Sequence, residues 1–281
     1  VVALESLLDA LRLEPIGPDA YRAGNAQSGH GVVFGGQLLG QSIIAGLAGQ
    51  DEKSVKTVHT IFARAASPDA ALEISVEPMQ DGRTFASRTV TVRQGDRLCA
   101  RSLVLLSADE PDFIRHAEPA PDVPGPDACE PSAGASGAWE IRVVGDVDVN
   151  DPDLVGPPRL DVWTRFAGAP DDPALDQALV AYATDGFLIG TAMRPHAGVG
   201  QAQAHQSVST GVISHTLTFH ERCPAGAWFL LSHRSTYAGH GRCYGAANVF
   251  RGDGSLAAAF VQDGMIRPLA GGPGGAGGRA L

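Results

Sequence analysis

The chain has 281 residues, 44% of them hydrophobic and 19% charged, with a formal net charge of −10. That length suits one large domain or two of about 130 residues each. The acidic balance argues against a sequence-independent grip on nucleic acid, which needs clustered Lys and Arg, although Arg64, Arg83 and Arg88 leave room for a local basic patch toward a phosphorylated ligand.

Leu4, Leu7, Leu8 and Leu11 recur at helical spacing and predict a short amphipathic helix. A loop with Gly24, Gly29 and Gly31 leads into residues 33–47, whose apolar positions 34, 38, 39, 43, 44 and 47 fit a second helix. Glycine inside a helix costs up to ~1 kcal/mol against alanine. Gly35, Gly36, Gly40 and Gly46 therefore need a reason, and the expected one is a curved sheet wrapped tightly around the helix. Strand patterns follow at Leu72–Val76 and Phe85–Val90, with Gln94-Gly95-Asp96 as a hairpin turn. Six prolines between Pro111 and Pro131 exclude a sheet interior and mark a linker. Trp139–Val144 and Leu160–Phe166 read as strands, Asp176–Met193 as one helix, and strands return as far as Arg267 before a Gly-rich tail.

The segment from Thr57 to Leu106 has a diverged echo from Ser214 to Ile266. His59-Thr60-Ile61-Phe62 answers to His215-Thr216-Leu217-Thr218-Phe219, and Gly82-Arg83 to Gly241-Arg242, each Arg followed twelve residues on by a turn glycine, Gly95 or Gly254. Counting from those glycines makes Leu103 the counterpart of Gln262. The implied architecture is α+β: two tandem antiparallel sheets, each curled around a central helix. Its boundaries are 1–108 for the first half, 109–138 for the linker, 139–270 for the second half and 271–281 for the tail.

The chemistry is narrowed first by what is missing. There is no G-x-S-x-G nucleophile elbow, no G-x-G-x-x-G and no Walker A loop. His215 and His220 are five apart in a strand pattern and point to opposite faces, which argues against a zinc site. Two polar residues inside apolar elements stand out. Asp185 lies in Ala181–Ile189, either as a helix cap or as a working carboxylate. Gln262 interrupts Leu256–Val261, where a buried amide needs partners and is either structural or functional.

Taken as an ordered set, several motifs resemble the acyl-CoA thioesterase II family, which has a double hotdog fold. They are Val33-Phe34-Gly35-Gly36-Gln37-x-x-Gly40-Gln41, Val58-His59-x-x-Phe62-x-Arg64 and Asp81-Gly82-Arg83-x-Phe85-Ala86-x-Arg88. In the second half come Ala183-x-Asp185, His215-x-x-x-Phe219-His220, Gly241-Arg242 and Val261-Gln262-Asp263-Gly264. The resemblance implies hydrolysis of fatty acyl-CoA to free acid and CoA, with Asp185 and Gln262 holding the attacking water and no metal or organic cofactor. Backbone N–H groups near Gly35, Gly36 or Gly186 would polarise the thioester carbonyl, and His59 also matches the pattern. The family's Ser or Thr, three residues before the second-half His, is here Val212, with Thr210 and Ser214 as flanking hydroxyls.

Exposed sheet edges and faces predict a homo-oligomer. No apolar run approaches the ~20 residues of a membrane span. Cys99, Cys129, Cys223 and Cys243 form no C-x-x-C pair and read as free thiols; with no visible export signal, the expected location is cytoplasmic. Competing readings are a non-catalytic acyl-CoA or lipid-binding protein on the same scaffold, suggested by Val212, and an enoyl-CoA hydratase, to which Asp148-Val149-Asn150-Asp151-Pro152-Asp153 is only superficially similar.

Overall fold

A computed structural model describes residues 3–26, 31–132 and 139–269. Gly29, the end of the predicted linker and the predicted Gly-rich tail lie outside the described residues. The first half carries α1 (Leu4–Leu11), β1 (Glu14–Gly17), β2 (Ala20–Ala23), α2 (Gly35–Leu47), β3 (Ser54–Phe62), β4 (Leu72–Asp81), β5 (Phe85–Gln94) and β6 (Arg97–Ser107). The second carries β7 (Trp139–Val143), β8 (Arg159–Phe166), α3 (Pro173–Thr184), α4 (Leu188–Met193), β9 (Val208–Phe219), β10 (Phe229–Gly239), β11 (Arg242–Arg251) and β12 (Leu256–Pro268).

All twelve strands form one sheet in the order β1-β2-β4-β5-β6-β3-β9-β12-β11-β10-β8-β7. Read inward from each outer edge, the halves run 1-2-4-5-6-3 and 7-8-10-11-12-9, the same order shifted by six strands. The duplication is thus written into the topology. The halves join where β3 pairs antiparallel with β9, and α2 and α3 fill the concave side. This is the double hotdog architecture.

The junction register corrects the alignment of the echo. Directly opposed residues in an antiparallel pair share a face. His59 lies opposite Thr216, and Thr60 opposite His215, so His59 and His215 point to opposite sides of the sheet. Leu103, paired with His59, is 50% exposed on the outer face, whereas Gln262, paired with His215, is 1% exposed on the inner one. Phe62 pairs with Ala100 as Phe219 does with Ala258, so the inner-face counterparts of His215 and Gln262 are the buried pair Val58 and Val104; Thr60, directly opposite His215, pairs with Ser102, their hydroxyls 2.7 Å apart.

Two other expectations change. The predicted helix over 176–193 is broken into α3 and α4 at Asp185-Gly186-Phe187, where Phe187 takes φ 64° and ends the helical path. The helix glycines chiefly admit a second helix and only in part the sheet. A Cβ on Gly36 would collide with the backbone of Tyr182, and one on Gly40 would lie 3.1 Å from the Ala178 carbonyl, so α2 runs antiparallel against the backbone of α3. Gly46 faces the sheet at Val104, and a Cβ on Gly35 would meet Phe62 of β3 as well as Asp185.

The two glutamines of the Gly-Gly-Gln-x-x-Gly-Gln motif anchor this helix. Gln37 accepts from Ala26 N–H and donates to Asn25; Gln41 donates to the Ala10 and Gly24 carbonyls. At the start of α3, Asp172 accepts from the N–H groups of Ala174 and Leu175, with Pro173 in the first turn. Tyr182 packs edge-on against Phe34, Trp139 and Phe166, fixing the far end of α3.

The Pro-rich segment lies along the outer face of the second half. The Trp163 indole N–H donates to the Pro124 carbonyl, and Cys129, Ala120 and Val123 pack with Leu230 and Phe250. The outer face of the first half carries exposed Ile61, Leu103 and Leu105 instead. All four cysteines are free and buried, and no described helix is long and apolar enough to cross a membrane.

Gly36→Ala tests the helix contact. Alanine is the better helix former, yet the substitution is expected to destabilise by about 1–3 kcal/mol, because backbone on α3 must move. Urea unfolding measures it, and a Gly36→Ala protein more stable than the parent would refute the close-pass explanation.

Candidate active site

Asp185 is the C-cap of α3, and the close pass of the helices carries its carboxylate to the first turn of α2. Phe34, the N-cap there, offers no side-chain cap. Gly36 N–H donates to Asp185 instead, and Gly35 leaves the space the carboxylate occupies, since a Cβ there would lie 2.6 Å from Oδ2. An anion at a helix N-terminus is favoured by unsatisfied N–H groups and by the helix dipole. Burial nevertheless dominates and raises the Asp185 pKa to about 8, opposed by the Gly36 and Gln262 hydrogen bonds.

Gln262 reaches Asp185 from the inner face of β12, with Nε2 3.2 Å from Oδ1. The same Nε2 lies 3.0 Å from His215 Nδ1. His215 Nε2 is in turn 3.1 Å from Thr184 Oγ1, which donates to the Ala181 carbonyl at 2.8 Å. The His215 ring stacks on Phe260 at 5.1 Å, and burial lowers its pKa to about 3, so it is neutral. Gln262 Oε1 is buried and has no protein partner. Gln41 Oε1 shares that property, but its amide hydrogen-bonds only backbone carbonyls. Gln262 differs in touching a carboxylate.

The structure therefore brings Asp185, Gln262, Gly35 and Gly36 together and separates the rest. Ser214 faces the opposite side of the sheet and donates to Asp263 Oδ2 at 2.9 Å, which removes it from the site. Thr210 shares the inner face but pairs with Ile266, four residues along β12 from Gln262, roughly 13 Å away at the strand rise. Val212, opposite Gly264, is nearer but brings no hydroxyl. Gly186 N–H is directed to the Ala183 carbonyl at 3.4 Å and is not offered to a ligand. His59 lies on the outer face with Nδ1 2.7 Å from Thr216 Oγ1, outside the site. Arg88 is buried and bound to Asp81 at 2.7 Å, which withdraws it from the expected basic patch. The sequence reading missed Thr184 and the bonding of His215. A hydroxyl directly before the singled-out Asp185 was the available signal.

Comparison with known proteins gives the arrangement its family context. A family model described as the acyl-CoA thioesterase N-terminal domain matches residues 23–107, and one described as the C-terminal domain matches 114–266. Human acyl-coenzyme A thioesterase 8 is 27% identical over 92% of this chain and 87% of its own length. Acyl-CoA thioesterase 2 of Haemophilus influenzae is 26% identical over 94% and 98%. Among solved structures, a tesB protein from Mycobacterium avium subs paratuberculosis superposes with a TM-score of 0.81 at 24% identity, covering 95% of this chain and all of that one.

The raised pKa of Asp185 makes a stability prediction with a definite sign. Between the ordinary carboxylate range and about pH 8 the folded state holds a proton that the unfolded state has lost. The contribution is therefore fully present below about pH 4 and is lost as pH rises through 8. Asp185→Asn should flatten that decline. Denaturant titrations at several pH values measure it, and parallel pH profiles for the two proteins would contradict the buried-carboxylate assignment.

Proposed function

Because the chain belongs to the acyl-CoA thioesterase family, we propose that it hydrolyses the thioester of fatty acyl-CoA to a free fatty acid and CoA. One observation carries the mechanism: a buried carboxylate bonded to an amide whose oxygen has no protein partner, at the first turn of a helix. A water donating one hydrogen to Asp185 and the other to Gln262 Oε1 would present its lone pair to the thioester carbonyl. Asp185 takes the proton as the water oxygen bonds to the carbonyl carbon. The developing oxyanion is stabilised by Gly35 N–H, a first-turn amide with no acceptor inside its helix. Collapse then breaks the carbon–sulfur bond, and the proton held by Asp185 returns to the CoA thiolate. The hydroxyl nearest this chain of groups belongs to Thr184, which acts on His215 and not on the water.

Release of CoA from a panel of acyl-CoA and acyl carrier protein thioesters tests the reading directly. We expect kcat/KM to rise with pH with an apparent pKa near 8, since the base must be ionised. Asp185→Asn should lower kcat by about 10²–10⁴ with substrate binding kept. Tight acyl-CoA binding without CoA release would favour a non-catalytic acyl-CoA carrier. An Asp185→Asn enzyme with undiminished turnover would exclude the carboxylate as base.

A homo-oligomer and a cytoplasmic setting belong to the same proposal. Exposed Ile61, Leu103 and Leu105 form an apolar outer face that a second copy would cover, and four free buried thiols suit a reducing compartment. Sedimentation at micromolar concentration should show a particle larger than the 29.1 kDa monomer; a monomer at that concentration would reject the assembly.

A further inference from the structure

Resting on that reading of the site, we infer that His215, held by Thr184, is the positioning residue that decides which end of the Gln262 amide faces the reacting water. An amide side chain turned by half a revolution occupies nearly the same space with its donor and acceptor ends exchanged. Something must choose between the two states, and packing alone does not.

The choice follows from a chain of hydrogen bonds with one consistent polarity. The Ala181 carbonyl can only accept, so the Thr184 hydroxyl proton points to it, at 2.8 Å. The Thr184 oxygen is then the acceptor at 3.1 Å from His215 Nε2, which places the imidazole proton on Nε2. A neutral imidazole carries one N–H, so Nδ1 is bare and accepts from Gln262 Nε2 at 3.0 Å. The second amide hydrogen goes to Asp185 Oδ1 at 3.2 Å. With both donors committed, Oε1 is the only free end, buried and without a protein partner. The reversed amide would set its oxygen against a bare imidazole nitrogen and a carboxylate, two contacts between acceptors. The backbone of α3 thus dictates, through two side chains, the orientation of a group on β12.

The groups acting on Asp185 are Gly36 N–H from α2, Tyr182 from its own helix and Gln262 from β12. His215 acts on it through Gln262 and is kept neutral chiefly by burial. Tyr182 is pushed above the usual phenol range by burial and stays protonated. His233 on β10 packs edge-on against Phe260 and bonds the Leu160 carbonyl. Neither His215 nor His233 changes charge in the range where Asp185 titrates.

The test is His215→Phe, which keeps a ring against Phe260 and deletes both hydrogen bonds. Expected are a fall in kcat of about tenfold to a hundredfold and a KM within about twofold of the parent. The rising limb of the pH profile should also move to higher pH, because the Gln262 bond that lowers the Asp185 pKa is no longer enforced. His215→Asn, whose Oδ1 can sit near the place of Nδ1 and accept from Gln262, should recover most of kcat and return the limb. Thr184→Val, on a different element, frees the tautomer and should move both readouts in the same direction by less. A His215→Phe enzyme with parental kcat and an unmoved limb overturns the inference, and so does an Asn variant as poor as the Phe variant. If His215→Phe does not fold, Thr184→Val with unchanged kcat and limb overturns it. Loss of activity in Asp185→Asn beside a normal His215→Phe would defeat only the role of His215; a normal Asp185→Asn would defeat the underlying reading.

Discussion

The close pass of α2 against α3 is the constraint on which the rest of the site depends. Two glycines one turn apart, Gly36 and Gly40, let the helices meet backbone to backbone. Larger residues would hold the axes at the usual 8–10 Å or more and carry the first turn of α2 away from the last turn of α3. Asp185 terminates α3, where its own helix dipole disfavours a negative charge. The same contact brings it to the start of α2, where Gly36 N–H and the opposite pole favour one. Desolvation by the surrounding core outweighs the Gly36 and Gln262 hydrogen bonds and leaves a carboxylate whose pKa is raised to about 8.

Buried amides in this chain differ in what holds them. Gln37 and Gln41 tie α2 to the preceding loop and to α1 through backbone groups. Gln262 has no backbone anchor. Its donors go to two ionisable side chains from separate elements, Asp185 and His215. A residue held this way adds little to the framework that a backbone-bonded one would not add better, and its free oxygen is an acceptor available to a ligand.

Much of the fold was legible because its elements carry strong periodicity. Alternation marked β4 and β5, an apolar run marked β12, and the prolines marked the break between halves. Facing was less accessible. The echo aligned His59 with His215 by their common His-Thr pairs, but Phe62 pairs with Ala100 as Phe219 does with Ala258, so Val58 answers to His215. A shift of one residue exchanges the two faces of a strand, and the partner strand is more than 150 positions away. Asp185 and Gln262 were visible as polar residues in apolar runs. Thr184 and His215 were not, because Thr184 patterns like any helix residue and its link to His215 joins α3 to β9 across 31 positions. The break after Asp185 was hidden for a related reason: Phe187 continues the apolar pattern while adopting a backbone conformation that ends the helix.

The duplicated halves are equivalent in topology but not in what their helix ends and junction pairs leave open. The start of α3 is closed by its own Asp172, which takes two first-turn N–H groups, whereas the start of α2 has no such cap and receives Asp185. The end of α3 supplies that carboxylate, and the end of α2 supplies only Ala48. On the inner face, the counterpart pair Val58 and Val104 is apolar, while His215 and Gln262 bond each other and leave one oxygen unmatched. A single composite cluster follows, with the first half contributing a helix N-terminus and the second a buried carboxylate and the amide bonded to it. Neither half alone holds both parts, which gives a physical reason for the two to persist as one continuous sheet.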